Sequence, residues 1–229
     1  MVVRGGFVFA EPTASFDVYV IIDQGLCASS SIDVGRLMKH LSDAGAGAIQ
    51  YRAKNLSKAK YYQDIQPLLS LARSFRIPLF VNDHLDIALA LRTDGIHLGQ
   101  NDLPYEAAQK LLPENMILGV STHSLEQAVA AARLKPGYMA IGPVFPTTTK
   151  ANPDPVVGTD SIRNIKASIG SIPLIAIGGI TLENAAEVIR SGADGVAVAS
   201  CVIQAKEPAI AVQVLKERVA VAKAAREMN

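Results

Sequence analysis

The sequence predicts a single (β/α)8 TIM barrel, a closed parallel sheet of eight strands with helices outside it, on three observations. Short apolar runs recur at regular spacing from residue 16 onward, with helical patterns between them. The hydrophobic content of 49% is at the upper edge for globular proteins, as suits strands buried on both faces. No compositional break divides the 229 residues, and single barrels of this size are common. The expected organisation is an N-terminal arm over 1–15 and one catalytic barrel over 16–229.

Taken in order, FDVYVII at 16–22 is the first strand, followed by a helix over 32–41 with Ser31 or Asp33 near its cap. The second strand is 47–52. A long amphipathic helix over 56–75 begins at Ser57, and Pro67 is expected to kink or divide it. Strands three and four are 78–81 and 95–98, joined by one helical crossover. Pro104 opens the next helix at its first turn, where a missing N–H costs least. The fifth strand is 116–120, a helix spans 124–134, and the sixth strand is 137–141. A loop of roughly seventeen residues, rich in Pro and Thr, follows; it is longer than most βα connections, which itself suggests function. The seventh strand is 172–177, Thr181 caps a helix running to 191, the eighth strand is 195–198, and a last helix covers 208–226. Glycine-bearing turns at 45–47, 93–95 and 192–195 read as the short αβ turns of the opposite rim.

A formal net charge of +1 excludes treating the whole surface as a nucleic-acid partner, so any anion site must be local. Cys27 and Cys201 are too few and too far apart for a disulfide framework or a zinc cluster, and are expected to be free thiols in a reducing, cytoplasmic setting. No stretch approaches about 18 uninterrupted apolar residues, so no membrane partner is expected. The first fifteen residues lack a clear leader pattern. Homo-oligomerisation is left open.

In a barrel of this kind the chemistry sits on the loops after the strands. The segment 81–102 organises the rest: one apolar run ends in Asn82-Asp83, and the next ends in His97-Leu98-Gly99-Gln100-Asn101-Asp102. A βαβ unit points both polar tails to the same sheet edge, so Asp83 and Asp102 face one cleft. Two carboxylates with few cations nearby in sequence suit a hard cation, and Mg2+ is usually held by one or two carboxylates plus substrate phosphate. The alternative is that each merely caps a neighbouring helix.

Gln50, Arg52 and Lys54 alternate with Tyr51 and Ala53, which places the three polar side chains on one face where a polyanion could lie. With Mg2+ across the mouth, that polyanion is best taken as a diphosphate. Ser121, Thr122 and His123 follow the fifth strand, and Thr147, Thr148 and Thr149 precede Lys150, which reaches the same diphosphate. Gly178-Gly179 and Ala199-Ser200 occupy the loops after strands seven and eight, where this fold most often binds a monophosphate. His97 is expected to be a hydrogen-bonded structural residue. No Ser-His-Asp order or Cys-His pairing supports covalent catalysis.

Gln50-x-Arg52-x-Lys54, Asn82-Asp83, His97-Leu98-Gly99-Gln100-x-Asp102, Gly119-Val120-Ser121-Thr122-His123, the segment from Gly142-Pro143 to Lys150, and Ala176-Ile177-Gly178-Gly179-Ile180 together resemble the thiamine-phosphate synthase family. The resemblance runs from about residue 19 to 202. It implies that 4-amino-2-methyl-5-hydroxymethylpyrimidine diphosphate and a thiazole phosphate join to give thiamine phosphate and diphosphate. It further implies that Gln50, Tyr51, Arg52, Ala53, Lys54, Asn82, Ser121 and Lys150 hold the pyrimidine diphosphate, and Asp83 and Asp102 the Mg2+. Thr147, Thr148, Thr149, Gly179, Ala199 and Ser200 would hold the thiazole phosphate, and Arg52, Lys54, Lys150 and Ser121 form the implied catalytic set. The family loop commonly reads Thr-Lys-Thr-Lys; here Thr148 replaces the first lysine and leaves Lys150 as the loop's cation. The implied mechanism is ionisation at the pyrimidine methylene and capture of the resonance-stabilised cation by the thiazole nitrogen, with electrostatic help and no general base. A related thiazole tautomerase on the same barrel would use His123 as its acid-base residue and needs neither two carboxylates nor a diphosphate cradle. A catalytically silent barrel that senses a phosphorylated ligand is the third reading.

Overall fold

The computed structural model describes residues 14–150 and 153–228. The chain alternates strands and helices in the order β1 (Val18–Asp23), α1 (Gln24–Ser29), α2 (Val34–Asp43), β2 (Ala48–Arg52), α3 (Lys58–Phe75), β3 (Leu79–Asn82), α4 (Leu85–Leu91), β4 (Gly95–Leu98) and α5 (Tyr105–Leu111). It continues with β5 (Ile117–Thr122), α6 (Leu125–Ala132), β6 (Tyr138–Ile141), α7 (Gly158–Ile169), β7 (Leu174–Ile177), α8 (Ala185–Arg190), β8 (Gly195–Val198), α9 (Ser200–Ile203) and α10 (Pro208–Glu227). Each strand pairs in parallel with the next, and β8 returns to β1 with Tyr19 opposite Ala197, so the sheet closes as a (β/α)8 barrel.

Period-2 alternation sorts the strand residues into two apolar cores. Val18, Val20 and Ile22 point outward and pack under the helices, against side chains such as Leu37, Met38 and Leu41 of α2 and Val212, Leu215 and Val219 of α10. Tyr19, Ile21, Ala48, Phe80, Tyr138, Ile175 and Ala197 fill the barrel itself. Phe16, expected in the first strand, instead lies beneath it as a floor plug, with its ring 5.6 Å from Tyr19, 5.8 Å from Phe80 and 4.4 Å from Tyr138 between centroids. Of the expected arm over 1–15, residues 1–13 lie outside the described residues.

Two glycines make room for that aromatic floor. A Cβ on Gly95 would sit 2.2 Å from the Phe80 ring, and one on Gly119 would sit 2.0 Å from Tyr138 Cζ. No side chain at either position could coexist with those rings lying across the barrel.

The structure departs from the expected elements in identifiable ways. Pro67 neither kinks apart nor divides α3, which runs for 18 residues from its Ser57 cap. Pro67 and Gln63, four residues before it, both lie on the exposed face, so water can take the carbonyl that the proline leaves unbonded. Asp23 starts a short extra helix, α1, by accepting from the Leu26 N–H at 3.1 Å. Thr181 does not cap α8; it belongs to a turn in which Asn184 Oδ1 accepts its N–H at 2.7 Å, and the helix begins at Ala185. The latter part of the Pro/Thr-rich stretch leads into α7, whose Ile162, Ile165 and Ile169 are buried. No helix of the described residues is long and apolar enough to cross a membrane.

Candidate active site

The carboxyl ends of the strands surround one cavity of about 240 Å3. Gln50, Arg52 and Lys54 enter it from β2 and the residues just beyond, as the alternation requires, and Asn82 and Asp83 enter from β3. Asp102 and Ser121 line it from the loop after β4 and the end of β5. Thr147, Thr149 and Lys150 line it from the loop after β6, and Gly179, Ala199 and Ser200 form the neighbouring wall after β7 and β8. Three expected contacts fall outside. Tyr51 faces the helix layer, where its ring packs 5.1 Å from Tyr61 and its hydroxyl reaches Asp64 at 3.4 Å; Ala53 is buried with it, and Thr148 points to solvent. In the β2 stretch the period of two that brings Gln50, Arg52 and Lys54 in sends Tyr51 and Ala53 out.

Neither aspartate is a helix cap. The N-cap of α4 is His84 and that of α5 is Pro104, and neither helix has a side-chain cap bond. Asp83 instead occupies the left-handed region at φ 65°, a conformation that Asp tolerates better than most residues. There its carboxylate accepts from Lys54 Nζ at 2.6 Å. Asp102 accepts from the Gly99 N–H at 2.7 Å, which folds the loop back towards the cavity.

The two carboxyls influence one another, and their acidities split. Burial opposes ionisation of Asp83, but the Lys54 ammonium outweighs it and holds its carboxyl below the usual range. Burial and then the neighbouring Asp83 push Asp102 upward. Two neighbouring carboxyls of which one resists ionisation suit a divalent cation, which would relieve their repulsion and take the place of Lys54. No group of three or more His, Cys, Asp or Glu stands together as a metal cage among the described residues. Two carboxylates completed by substrate oxygens and water fit Mg2+ better than a transition metal.

The cations converge on the other flank. Burial pushes Lys150 down, and the nearby charges of Arg52 and Lys54 push the same way against the opposing pull of Asp154 and Asp83. Three positive side chains near enough to feel one another favour an anion between them. Arg52 is tethered from behind by Asp23, which pairs with its Nη1 across the β1–β2 register. Asp23 also lines the cavity and is a site residue that the sequence did not single out. Its partner is 29 residues away, so only knowledge of the strand register could have found it.

His97 is structural in its surroundings, as expected: Tyr138 and Ser121 occupy its two ring nitrogens, and burial pushes it down to about 4 despite the nearby Asp83 charge. His123 hydrogen bonds the Gly142 carbonyl through Nδ1, and its Nε2 is 3.4 Å from Asp154. Gly178 and Gly179 both have positive φ, and a Cβ on either would come within 2.5 Å of the loop after β6, at Pro143 and at the Pro146 carbonyl. They allow that loop to lie directly against the wall after β7.

Comparison with known proteins identifies the family. The family model described as thiamine monophosphate synthase matches residues 18–202. The chain belongs to the thiamine monophosphate synthase family. It is 40% identical over 208 residues to the thiamine-phosphate synthase of Chloroflexus aurantiacus, covering 89% of this chain and 93% of that one. It is 45% identical over 186 residues to the corresponding protein of Methanospirillum hungatei, covering 81% and 89%. Among solved structures, thiamine phosphate pyrophosphorylase from Pyrococcus furiosus superposes with a TM-score of 0.81 at 36% identity, over 92% of this chain and 98% of that one. Membership makes this barrel an enzyme of the transferase class.

Proposed function

We propose that the protein condenses 4-amino-2-methyl-5-hydroxymethylpyrimidine diphosphate with a thiazole phosphate, releasing diphosphate and thiamine phosphate. The observation that carries this reading is the meeting of an acidic pair, Asp83 and Asp102, with Arg52, Lys54 and Lys150 in one cavity. Asp83 and Asp102 would hold Mg2+, which when bound supplies positive charge to the departing diphosphate oxygens. The rest of the work belongs to the chain.

Arg52, fixed by Asp23, and Lys150 stabilise the negative charge that builds on the leaving group. Lys54 is half exposed, so it can turn from Asp83 to a diphosphate oxygen once a cation takes its place on the carboxylate. Gln50 and Ser121 flank the pyrimidine, with Asn82 beside the diphosphate. Thr147, Thr149, Gly179 and Ala199-Ser200 hold the thiazole phosphate and fix its ring nitrogen opposite the reacting carbon. The surrounding walls restrict water, which would otherwise capture the pyrimidine cation. Free thiols at Cys27 and Cys201 suit a cytoplasmic protein.

The test is diphosphate release from the two purified substrates in Mg2+. Release with formation of thiamine phosphate is expected, and chelation or Asp83→Ala should lower kcat by about 100-fold or more, the scale of losing one preorganised charge-stabilising group. Turnover indifferent to chelator overturns the metal assignment. Proton exchange on the thiazole without diphosphate release would favour a tautomerase acting through His123.

A further inference from the structure

Beneath the cavity, the barrel interior carries a chain of hydrogen bonds whose middle members, Tyr19, Tyr138 and His97, have no part in the chemistry above. Gln50 Nε2 donates to the Tyr19 hydroxyl at 2.9 Å, and the Tyr19 and Tyr138 hydroxyls lie 3.0 Å apart. The Tyr138 hydroxyl is 2.9 Å from His97 Nδ1, and His97 Nε2 is 2.8 Å from Ser121 Oγ. Five side chains from β1, β2, β4, β5 and β6 are thereby strung across the barrel. Tyr19 and Tyr138 are 1% and 0% exposed, and neither lines the cavity, whereas Gln50 and Ser121 at the two ends do.

Such a chain has a direction. Tyr19 receives the Gln50 proton, and its own proton has Tyr138 as its hydroxyl partner, because an unpaired buried O–H costs a hydrogen bond. Tyr138 must then donate to His97 Nδ1. A neutral imidazole has one donor and one acceptor, so Nε2–H points to Ser121 Oγ. The Ser121 proton is left for the cavity, as is the Gln50 amide oxygen. The Gln50 wall therefore can only accept a hydrogen bond, while the Ser121 wall has a proton to donate.

We infer that Tyr19, Tyr138 and His97 are positioning residues that fix this polarity and so select an aminopyrimidine over its 4-oxo counterpart. An aminopyrimidine edge offers an N–H to the Gln50 oxygen and a ring nitrogen to the Ser121 hydroxyl. The 4-oxo compound offers a carbonyl and a ring N–H, the reverse pattern. Ser121 Oγ keeps a second lone pair and could accept the ring N–H, so the discrimination falls on Gln50: turning its NH2 to the 4-oxo carbonyl would require flipping both phenol protons and the imidazole tautomer with it, in a region packed by aromatic rings. A site built to hydrogen-bond one pattern rejects the opposite one strongly, because its own buried polar groups are left unpaired.

This inference rests on the proposed function, so its test reads binding separately from turnover. The Kd values of the aminopyrimidine diphosphate and of its 4-oxo counterpart are measured by calorimetry in Mg2+, for wild type, Tyr19→Phe and Tyr138→Phe. Each variant keeps the ring that packs the floor, and its melting curve checks the fold. Wild type is expected to prefer the amino compound at least tenfold, and each folded variant should lose most of that preference while its Kd for thiazole phosphate stays put. Equal binding of both compounds by wild type, or folded variants that keep the full preference, overturns the relay. Failure of the wild type to release diphosphate with both substrates present would instead sink the functional reading on which the relay depends.

Discussion

Burial fixes the protonation of His97, and that has a consequence for stability. Its pKa in the fold, about 4, lies below the ordinary histidine value of about 6.5, so the folded protein disfavours a proton that the unfolded chain accepts. The stability tied to the neutral ring is complete above about pH 6.5 and is lost as pH falls towards 4. Urea unfolding should show the gap in stability between wild type and His97→Gln narrowing by on the order of 3 kcal/mol over that window. A gap that does not change with pH would contradict the burial argument. The thiols follow the same logic: burial, with the Asp23 charge added at Cys27, pushes Cys27 and Cys201 up to about 11. Both should alkylate slowly at pH 8 in the folded protein and at ordinary thiol rates in urea; fast labelling of the folded state would contradict it.

At the scale of the element, Gly119 and Pro67 make opposite forecasts. Gly119→Ala drives a methyl into the Tyr138 ring, so either ring or strand must shift, at about 1–3 kcal/mol of overpacking. A lowered urea midpoint is expected, and an unchanged one would mean that the ring does not depend on the missing side chain. Pro67→Ala restores a hydrogen-bond donor inside a continuous helix at an exposed position and should stabilise by about 1–3 kcal/mol, the helix penalty of proline less its effect on the unfolded chain. Sequence alone marked Pro67 as a break because the rule is local. The structure shows a helix whose other face, through Tyr61, Ile65, Leu68 and Leu69, is buried firmly enough to override it.

For the molecule as a whole, much of the plan could be read before any coordinates. Strand ends are marked by abrupt changes from apolar to polar residues, and parallel βαβ chirality then forces Asp83 and Asp102 to one rim. What stayed hidden depends on closure. Asp23 reads as the polar end of a strand until β1 and β2 are paired, and Tyr19 and Tyr138 read as ordinary strand aromatics until the barrel brings residues 119 apart in sequence into one hydrogen bond. Tyr51, Ala53 and Thr148 were drawn towards the site by adjacency along the chain, whereas the fold sorts neighbours to opposite faces.

On the proposed reading, one rim carries both an acidic pair that holds a cation and a basic trio that takes a diphosphate. The decisive measurement is calorimetric titration of inorganic diphosphate with and without Mg2+. Binding should strengthen at least tenfold with Mg2+, a gain that vanishes in Asp83→Ala even though removing a negative charge should by itself help an anion bind. Equal affinity with and without Mg2+, or an undiminished Mg2+ gain in Asp83→Ala, would contradict it.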